Sequence, residues 1–234
     1  MQKFLPIALF AIMIIGCKGG DTTAATGGGA AAGSGTTYTL RMNPRQGEKY
    51  AYMVTQTGPQ TMEMGMTMAC EKAENGKFTM VTTFDSLKMD GKGAPAMVME
   101  SMKKMKMTTV TDSTGKTLET KVEGAPAGST PDSSNPSYPS GPVKIGDTWT
   151  GTSKVGGKEV NYTYKLASVA NEGGSEVATL EATATGLPEG ATIEGPMVVK
   201  IDVGSGMPVS MKLTTKSKGA DGKDVTSTME MKRR

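Results

Sequence analysis

Short stretches in which apolar and polar residues alternate recur along most of the chain. The clearest one places Met62, Met64, Met66, Met68 and Cys70 at every second position. Side chains at this spacing lie on one face of a β-strand. Further stretches with the same period cover residues 160–166, 197–203, 209–213 and 225–231. The pattern therefore predicts a mainly β protein in which one face of each strand is apolar.

Groups of Gly, Asn, Asp and Glu separate these stretches, for example at 74–77, 156–157 and 220–222. Gly, Asn and Asp tolerate the positive φ angles that tight hairpin turns require. Hairpins join neighbouring strands in antiparallel order. We therefore expect a curved antiparallel sheet or half-barrel.

Two similar halves are predicted, at about residues 38–123 and 143–234. Gly-Glu-Lys-Tyr at 47–50 opens the first series of strands and Gly-Asp-Thr-Trp at 146–149 opens the second. Either an internal duplication or convergence on the same turn chemistry would explain this similarity. Between the halves, residues 124–142 contain five prolines. Proline disfavours helices and central strands, so this segment is predicted to be a loop.

One short helix is predicted at residues 95–104. Val98, Met102 and Met105 have the spacing of one helical face. A strand is the alternative, because Met97 and Met99 also fit a period of two. At most one or two short helices are expected in the whole chain.

The first residues have the order of a secretory signal peptide. Residues 1–16 combine a basic start at Lys3, an apolar stretch and a small residue, Gly16, at the end. The apolar stretch is shorter than the roughly 20 residues that span a bilayer as a helix. Residues 17–37 then consist almost entirely of Gly, Ala, Thr and Ser after the first two positions. Such a composition predicts a flexible tether.

Ile14-Ile15-Gly16-Cys17 resembles the lipobox of bacterial lipoproteins. The resemblance implies that the Cys17 thiol carries a diacylglyceryl group and that the signal peptide is cleaved before Cys17. An acyl chain such as palmitate on the freed amine is also implied. Two or more acyl chains hold a protein stably on a membrane. Lys18 occupies the position where an Asp retains enterobacterial lipoproteins at the inner membrane. We therefore expect a periplasm-facing anchor, with the outer membrane favoured and the cell surface as an alternative.

Composition argues against several classes of function. The net charge is only +3, from 26 basic and 23 acidic residues, and no dense basic stripe occurs, so nucleic acid is not an expected partner. The chain contains no His, which removes the commonest general base and metal ligand. Cys70, the only thiol besides Cys17, therefore has no His to activate it. We expect neither enzymatic activity nor a cofactor or metal.

The 20 methionines are the most unusual feature of the composition. They could fill an irregular core, since unbranched thioether chains adapt to gaps. They could also form a pliable lining for an apolar ligand such as an acyl chain. Copper(I) is a third alternative, because thioethers suit this ion and 62–68 resembles Met-x-Met copper motifs. The residues expected to face a ligand are Met62, Met64, Met66, Met68, Trp149, Tyr162 and Tyr164.

Residues 146–149, 162–166 and 206–211 are also similar to a family of uncharacterised β-rich bacterial lipoproteins. That family resembles the half-barrel of the lipoprotein carrier proteins, in which acyl chains lie on a concave sheet beneath short helices. The resemblance implies a non-enzymatic envelope protein that binds a hydrophobic ligand, a lipid or a lipoprotein partner. A structural envelope protein without ligand and a methionine-rich copper(I) protein are the alternatives. The oligomeric state is not predicted.

Overall fold

The computed structural model describes residues 14–15, 35–124, 133–134, 137–155, 158–187, 191–219 and 222–234. The predicted signal peptide, Cys17, most of the tether and most of the Pro-rich loop lie outside these residues, apart from a few positions. Within the described ranges there are one helix, α1 (Ala96–Lys104), and fifteen strands. The strands are β1 (Ile14–Ile15), β2 (Lys49–Thr57), β3 (Met62–Glu74), β4 (Lys77–Met89), β5 (Lys92–Gly93), β6 (Lys106–Asp112), β7 (Thr117–Glu123), β8 (Ser133–Ser134), β9 (Thr148–Val155), β10 (Lys158–Glu172), β11 (Ser175–Thr185), β12 (Ala191–Ile193), β13 (Met197–Asp202), β14 (Pro208–Lys218) and β15 (Asp224–Arg233).

Thirteen of these strands form one curved antiparallel sheet that does not close. The order across the sheet is β7-β6-β4-β3-β2-β15-β14-β13-β11-β10-β9, with β5 beside β4 and β12 beside β14. The predicted fold class is therefore confirmed. The segment predicted as the first half contributes β2 to β7 and the segment predicted as the second half contributes β9 to β15, and the pairing of β15 with β2 joins the two. The remaining strands, β1 and β8, form a separate parallel pair.

Both halves begin with the same arrangement of hydrogen bonds. The Gly47 amide donates to the Cys70 carbonyl at 2.8 Å, and the Gly146 amide donates to the Leu166 carbonyl at 2.7 Å. A bulge follows at once in each half, after Cys70 on β3 and after Leu166 on β10. The Gly-acid sequence that opens each half therefore performs the same task, which is to tie the start of one strand to the bulge of the next.

Two hairpins, β6–β7 and β13–β14, are also built alike. In the β6–β7 turn, Asp112 Oδ1 accepts from the Thr114 amide at 2.8 Å. In the β13–β14 turn, Asp202 Oδ1 accepts from the Ser205 amide at 2.7 Å. The next residue in both turns is a glycine with positive φ. Local turn chemistry of this kind is visible in the sequence as an Asp followed by Ser or Thr and Gly.

Two chain segments cross one end of the sheet, and we call residues 38–42 and 137–143 together the end plug. Tyr38 and Val143 exchange backbone hydrogen bonds of 2.7 and 2.9 Å. Leu40, Met42 and Tyr138 of the plug are only 0, 4 and 2% exposed. They join the apolar side chains of the inner sheet face in a single core cluster. The end plug therefore covers the core at this end.

Helix α1 lies between β5 and β6 and packs beside β4. The helix begins one residue later than the predicted 95–104 and ends where predicted. The helical spacing of Val98, Met102 and Met105 was therefore the correct signal, and the strand alternative is wrong. Within the described ranges, no helix combines the length and the apolar character that are needed to span a bilayer.

Candidate functional site

The methionine face of β3 points into the core. Met64, Met66 and Met68 are 7, 1 and 6% exposed, while Met62, at the start of the strand, is partly exposed. The strand alternation thus places three of the four predicted ligand-facing methionines in close packing with other apolar side chains.

Met62 lies opposite Met89 of β4, but the three buried methionines of β3 have no thioether directly opposite them. The cross-strand partners of these three methionines contain no sulfur: Val54 and Leu87 flank Met64, Tyr52 and Phe84 flank Met66, and Tyr50 and Thr82 flank Met68. Copper(I) bound by thioethers needs several sulfur atoms at one point. The described part of the chain also holds no group of three Cys, Asp or Glu that could bind a metal ion. The geometry at β3 therefore favours packing.

The three predicted aromatic residues come together on β9 and β10. Trp149 stacks on Tyr164 with ring centroids 5.8 Å apart, and Tyr162 lies 6.1 Å from Tyr164. The Trp149 indole nitrogen donates to the Ser137 carbonyl at 2.6 Å, which joins this stack to the end plug. Five strands separate β10 from β3 in the sheet order. The core cluster thus contains Met64, Met66, Met68, Tyr162 and Tyr164, and Trp149 packs against it, but the methionines and the aromatics lie in different sections of the sheet.

Seven further methionines are buried, all but Met107 in the same core cluster, and the list of expected ligand-facing residues did not include them. The additional buried methionines are Met42, Met80, Met107, Met197, Met207, Met211 and Met231. For those on strands, the signal was the same apolar alternation that identified β3. For buried Tyr138 no such signal exists, because it lies within the Pro-rich segment that is predicted to be a loop.

Helix α1 is a loosely packed cover. None of its nine residues is buried, and Met97 is 79% exposed. Met102 in the helix and Met105, the first residue after the helix, are partly buried and pack against the core cluster. Just before the helix, the Ala94 amide donates to the Leu87 carbonyl of β4 at 3.0 Å. The contact of α1 with the core therefore depends mainly on two methionine side chains.

The helix also lacks local support at its start. Pro95 at the N-cap offers no side-chain hydrogen bond, and no acidic residue stands in the first turn. Isolated helices shorter than about 12 residues are marginal in water, so packing must supply the stability of a nine-residue helix. Lys103 and Lys104 in the last turn interact favourably with the helix dipole, which is a small contribution. Helix α1 is thus an element that can leave the core at low cost.

Two charged side chains beside Tyr50, those of Glu48 and Arg233, form hydrogen bonds with the backbone. The Tyr50 hydroxyl and the Arg45 amide donate to Glu48, and these hydrogen bonds lower the pKa of the Glu48 carboxyl. The Arg233 guanidinium lies 5.0 Å from the centre of the Tyr50 ring. It donates to the Pro208 carbonyl at 2.7 Å. A carboxyl group with a lowered pKa is ionised at neutral pH and is poorly suited to act as a general acid.

The Asp202 carboxyl and the Cys70 thiol are the two other groups that could take part in chemistry, and both have shifted pKa values. Burial alone would raise the pKa of Asp202, but hydrogen bonds donated by Ser205 outweigh it and the pKa is lowered. Burial raises the pKa of the Cys70 thiol, whose sulfur donates to the Lys72 carbonyl at 3.5 Å. A thiol with a raised pKa stays protonated at neutral pH and is a weak nucleophile. These groups therefore fit a structural role.

Comparison with known proteins adds two weak structural similarities. No protein-family model and no curated protein matches the chain. A crystal structure of a DUF1329 family protein from Desulfovibrio piger is 9% identical, with 79% of this chain and 84% of that chain covered and a TM-score of 0.28. A structure from Vibrio parahaemolyticus, described as an outer membrane lipoprotein-sorting protein domain, is 13% identical, with 81% and 85% covered and a TM-score of 0.29. With TM-scores this low, neither similarity indicates a function for this chain.

Proposed function

We propose that residues 38–234 form a non-enzymatic binding module that takes a hydrophobic ligand into the methionine-rich core beside α1. The ligand class is a lipid acyl chain, either free or as part of a lipoprotein. The observation that carries this proposal is the helix itself, since α1 has no buried residue and yet lies on a core lined by methionines.

The physical basis is the adaptability of the side chains on both sides of the helix contact. Methionine is unbranched and repacks around varied shapes at little cost. An acyl chain gains about 0.8 kcal/mol for each methylene that it buries. Burial of about four methylenes would therefore offset roughly 3 kcal/mol, which is the scale expected for withdrawing two partly buried methionines from the core. A chain of ordinary length could displace Met102 and Met105 and gain stability overall.

The proposed location follows from the lipobox. Acylated Cys17 would hold the module at a membrane, and the tether to residue 37 would leave it free to face the periplasm. Lys18 favours the outer membrane. The partners in this proposal are the membrane, through the lipid on Cys17, and a hydrophobic ligand or lipoprotein.

A second candidate is a structural envelope protein that binds no ligand. The observation in its favour is the close packing of Met64, Met66 and Met68, which are all less than a tenth exposed. A core that is already filled needs no ligand. Binding measurements decide between the two candidates.

Binding is tested with the full chain carrying Cys17→Ser, so that the protein's own lipid is absent. We expect the apolar dye N-phenylnaphthylamine to bind with increased fluorescence, palmitic acid to displace it, and native mass spectrometry to detect co-purified lipid. Met102→Ala with Met105→Ala should accelerate dye uptake several-fold, because the helix contact is weakened. Met97→Ala, on the exposed side of the same helix, is the matched control and should leave the rate unchanged. A protein that binds neither dye nor lipid would be the structural envelope protein instead.

Anchoring is tested by cell fractionation of the same substitution. Wild-type protein should sediment with membranes and incorporate labelled palmitate, whereas Cys17→Ser should lose the label and move to the soluble periplasmic fraction. The physical reason is that only the Cys17 thiol can carry the thioether-linked lipid. A carbonate wash separates stable anchoring from loose association. Label that remains in Cys17→Ser would contradict the proposed lipidation site.

A further inference from the structure

The methionines in the described part of the chain differ widely in their access to solvent. Helix α1 and the residue after it carry Met97, Met99, Met102 and Met105, and none of these is buried. In contrast, the buried methionines of the strands and the end plug are at most 8% exposed. Met53, Met62, Met89 and Met229 on strands are also partly exposed, so a reagent in solution reaches these four and the helix methionines before the buried ones.

Methionine sulfur is oxidised by two-electron oxidants such as hydrogen peroxide or hypochlorous acid. With peroxide, one oxygen atom is transferred to the sulfur, the thioether becomes a sulfoxide and the peroxide is reduced to water. The product is polar and chiral, and it fits poorly against apolar side chains. Oxidation therefore has a structural effect only where the thioether is in contact with the core.

On this helix, Met102 and Met105 meet both conditions, because they are accessible and they also pack against the core cluster. We propose that Met102 and Met105 are an oxidant-sensitive modification site, and that their conversion to sulfoxides releases α1 from the sheet. Met97 is 79% exposed, and its oxidation should have no such effect.

The ends of α1 explain why release would be local. The Ala94 amide is bonded to β4 before the helix, and the Lys104 carbonyl lies close to Gly124 after it, where an added Cβ would come within 2.3 Å. The helix is therefore held at both ends by backbone contacts. Loss of the two side-chain contacts between these ends would open α1 without unfolding the sheet.

Only one consequence of this proposal, the opening of the core to a ligand, rests on the proposed function. The release of α1 and the uptake of a dye can be measured separately. The two ideas can therefore fail independently of each other.

The experiment treats the folded full-length chain carrying Cys17→Ser with hydrogen peroxide. Peptide mass spectrometry then follows each sulfoxide, and hydrogen exchange follows the amides of 96–105. We expect the four helix methionines to oxidise at least tenfold faster than Met64, Met66 and Met68, and exchange in α1 to accelerate at least tenfold. Methionine sulfoxide reductase should reverse both changes.

The matched variant is Met102→Leu with Met105→Leu, which preserves apolar packing and cannot form a sulfoxide. Peroxide should still oxidise Met97 in this variant, but hydrogen exchange in α1 should no longer respond. Equal oxidation of core and helix methionines, or the same exchange response in the Leu variant, would overturn the proposal. If exchange responds as expected but the dye never binds, the modification site stands and the proposed ligand function fails.

Discussion

Gly206→Ala is expected to lower the free energy of unfolding by about 3 kcal/mol or more, one of the largest effects of a single methyl group in this protein. A Cβ at this position would lie 1.9 Å from the Arg41 carbonyl oxygen and 2.8 Å from the Met42 Cα. The turn and the end plug would have to separate, which would withdraw the buried side chains of Leu40 and Met42 from the core. The backbone also has a φ of 67°, which disfavours any side chain by about 1 kcal/mol. Urea denaturation of the full chain with Cys17→Ser measures the change.

Gly76→Ala is the matched control for this substitution. Gly76 lies in the β3–β4 turn with a φ of 69°, and nothing lies within 4 Å of the position of an added Cβ. Gly76→Ala should lower the free energy of unfolding by only about 1 kcal/mol, which is the cost of a side chain at positive φ. The difference between the two variants therefore isolates the close approach of the plug to the β13–β14 turn. Equal losses at both glycines would show that this approach does not contribute to stability.

Gly206 also shows what the sequence can and cannot predict. A tight turn at 204–206 follows from its Gly-Ser-Gly composition, because local backbone preferences act within a few residues. The contact with Arg41 joins opposite halves of the chain and has no local signal. The same holds for Tyr138 of the end plug, whose buried hydroxyl donates to the Gly206 carbonyl.

Strand register was predictable where a turn fixes it and unpredictable where a bulge shifts it. Val155 pairs with Lys158, only three positions further along the chain, and the same register brings Trp149 opposite Tyr164. The aromatic stack of the candidate site therefore follows from a turn that is visible in the sequence. Between β3 and β4, by contrast, two bulges shift the register and then restore it, one at Asp85 of β4 and one after Cys70 of β3.

The sequence predicted which methionines share one face of β3, but it did not predict what covers that face. Alternation correctly placed Met64, Met66 and Met68 on one side of a strand. Whether that side is filled or open depends on the curvature of the sheet and on what crosses it. Both arise from long-range packing of the two halves, which no periodicity of a single strand encodes.

Met66→Ala should lower the free energy of unfolding by about 3 kcal/mol, within the usual range for truncating a buried methionine. Met66 is 1% exposed and lies between Tyr52 and Phe84 in the middle of the sheet. Met66→Leu conserves apolar volume and should cost less than about 1.5 kcal/mol. Met97→Ala, on the exposed side of α1, should cost almost nothing and serves as the control.

The same variant distinguishes a filled core from a ligand site through its response to an apolar compound. In a dry core, the cavity left by Met66→Ala has no other occupant, so palmitic acid or the dye should stabilise the variant more than the wild type. The stabilisation grows with ligand concentration because only the folded state binds. If wild type and variant are stabilised equally, the ligand occupies a space that already exists beside α1. If only the variant responds, the core of the natural protein is complete without a ligand, and the structural role is the better explanation of its methionines.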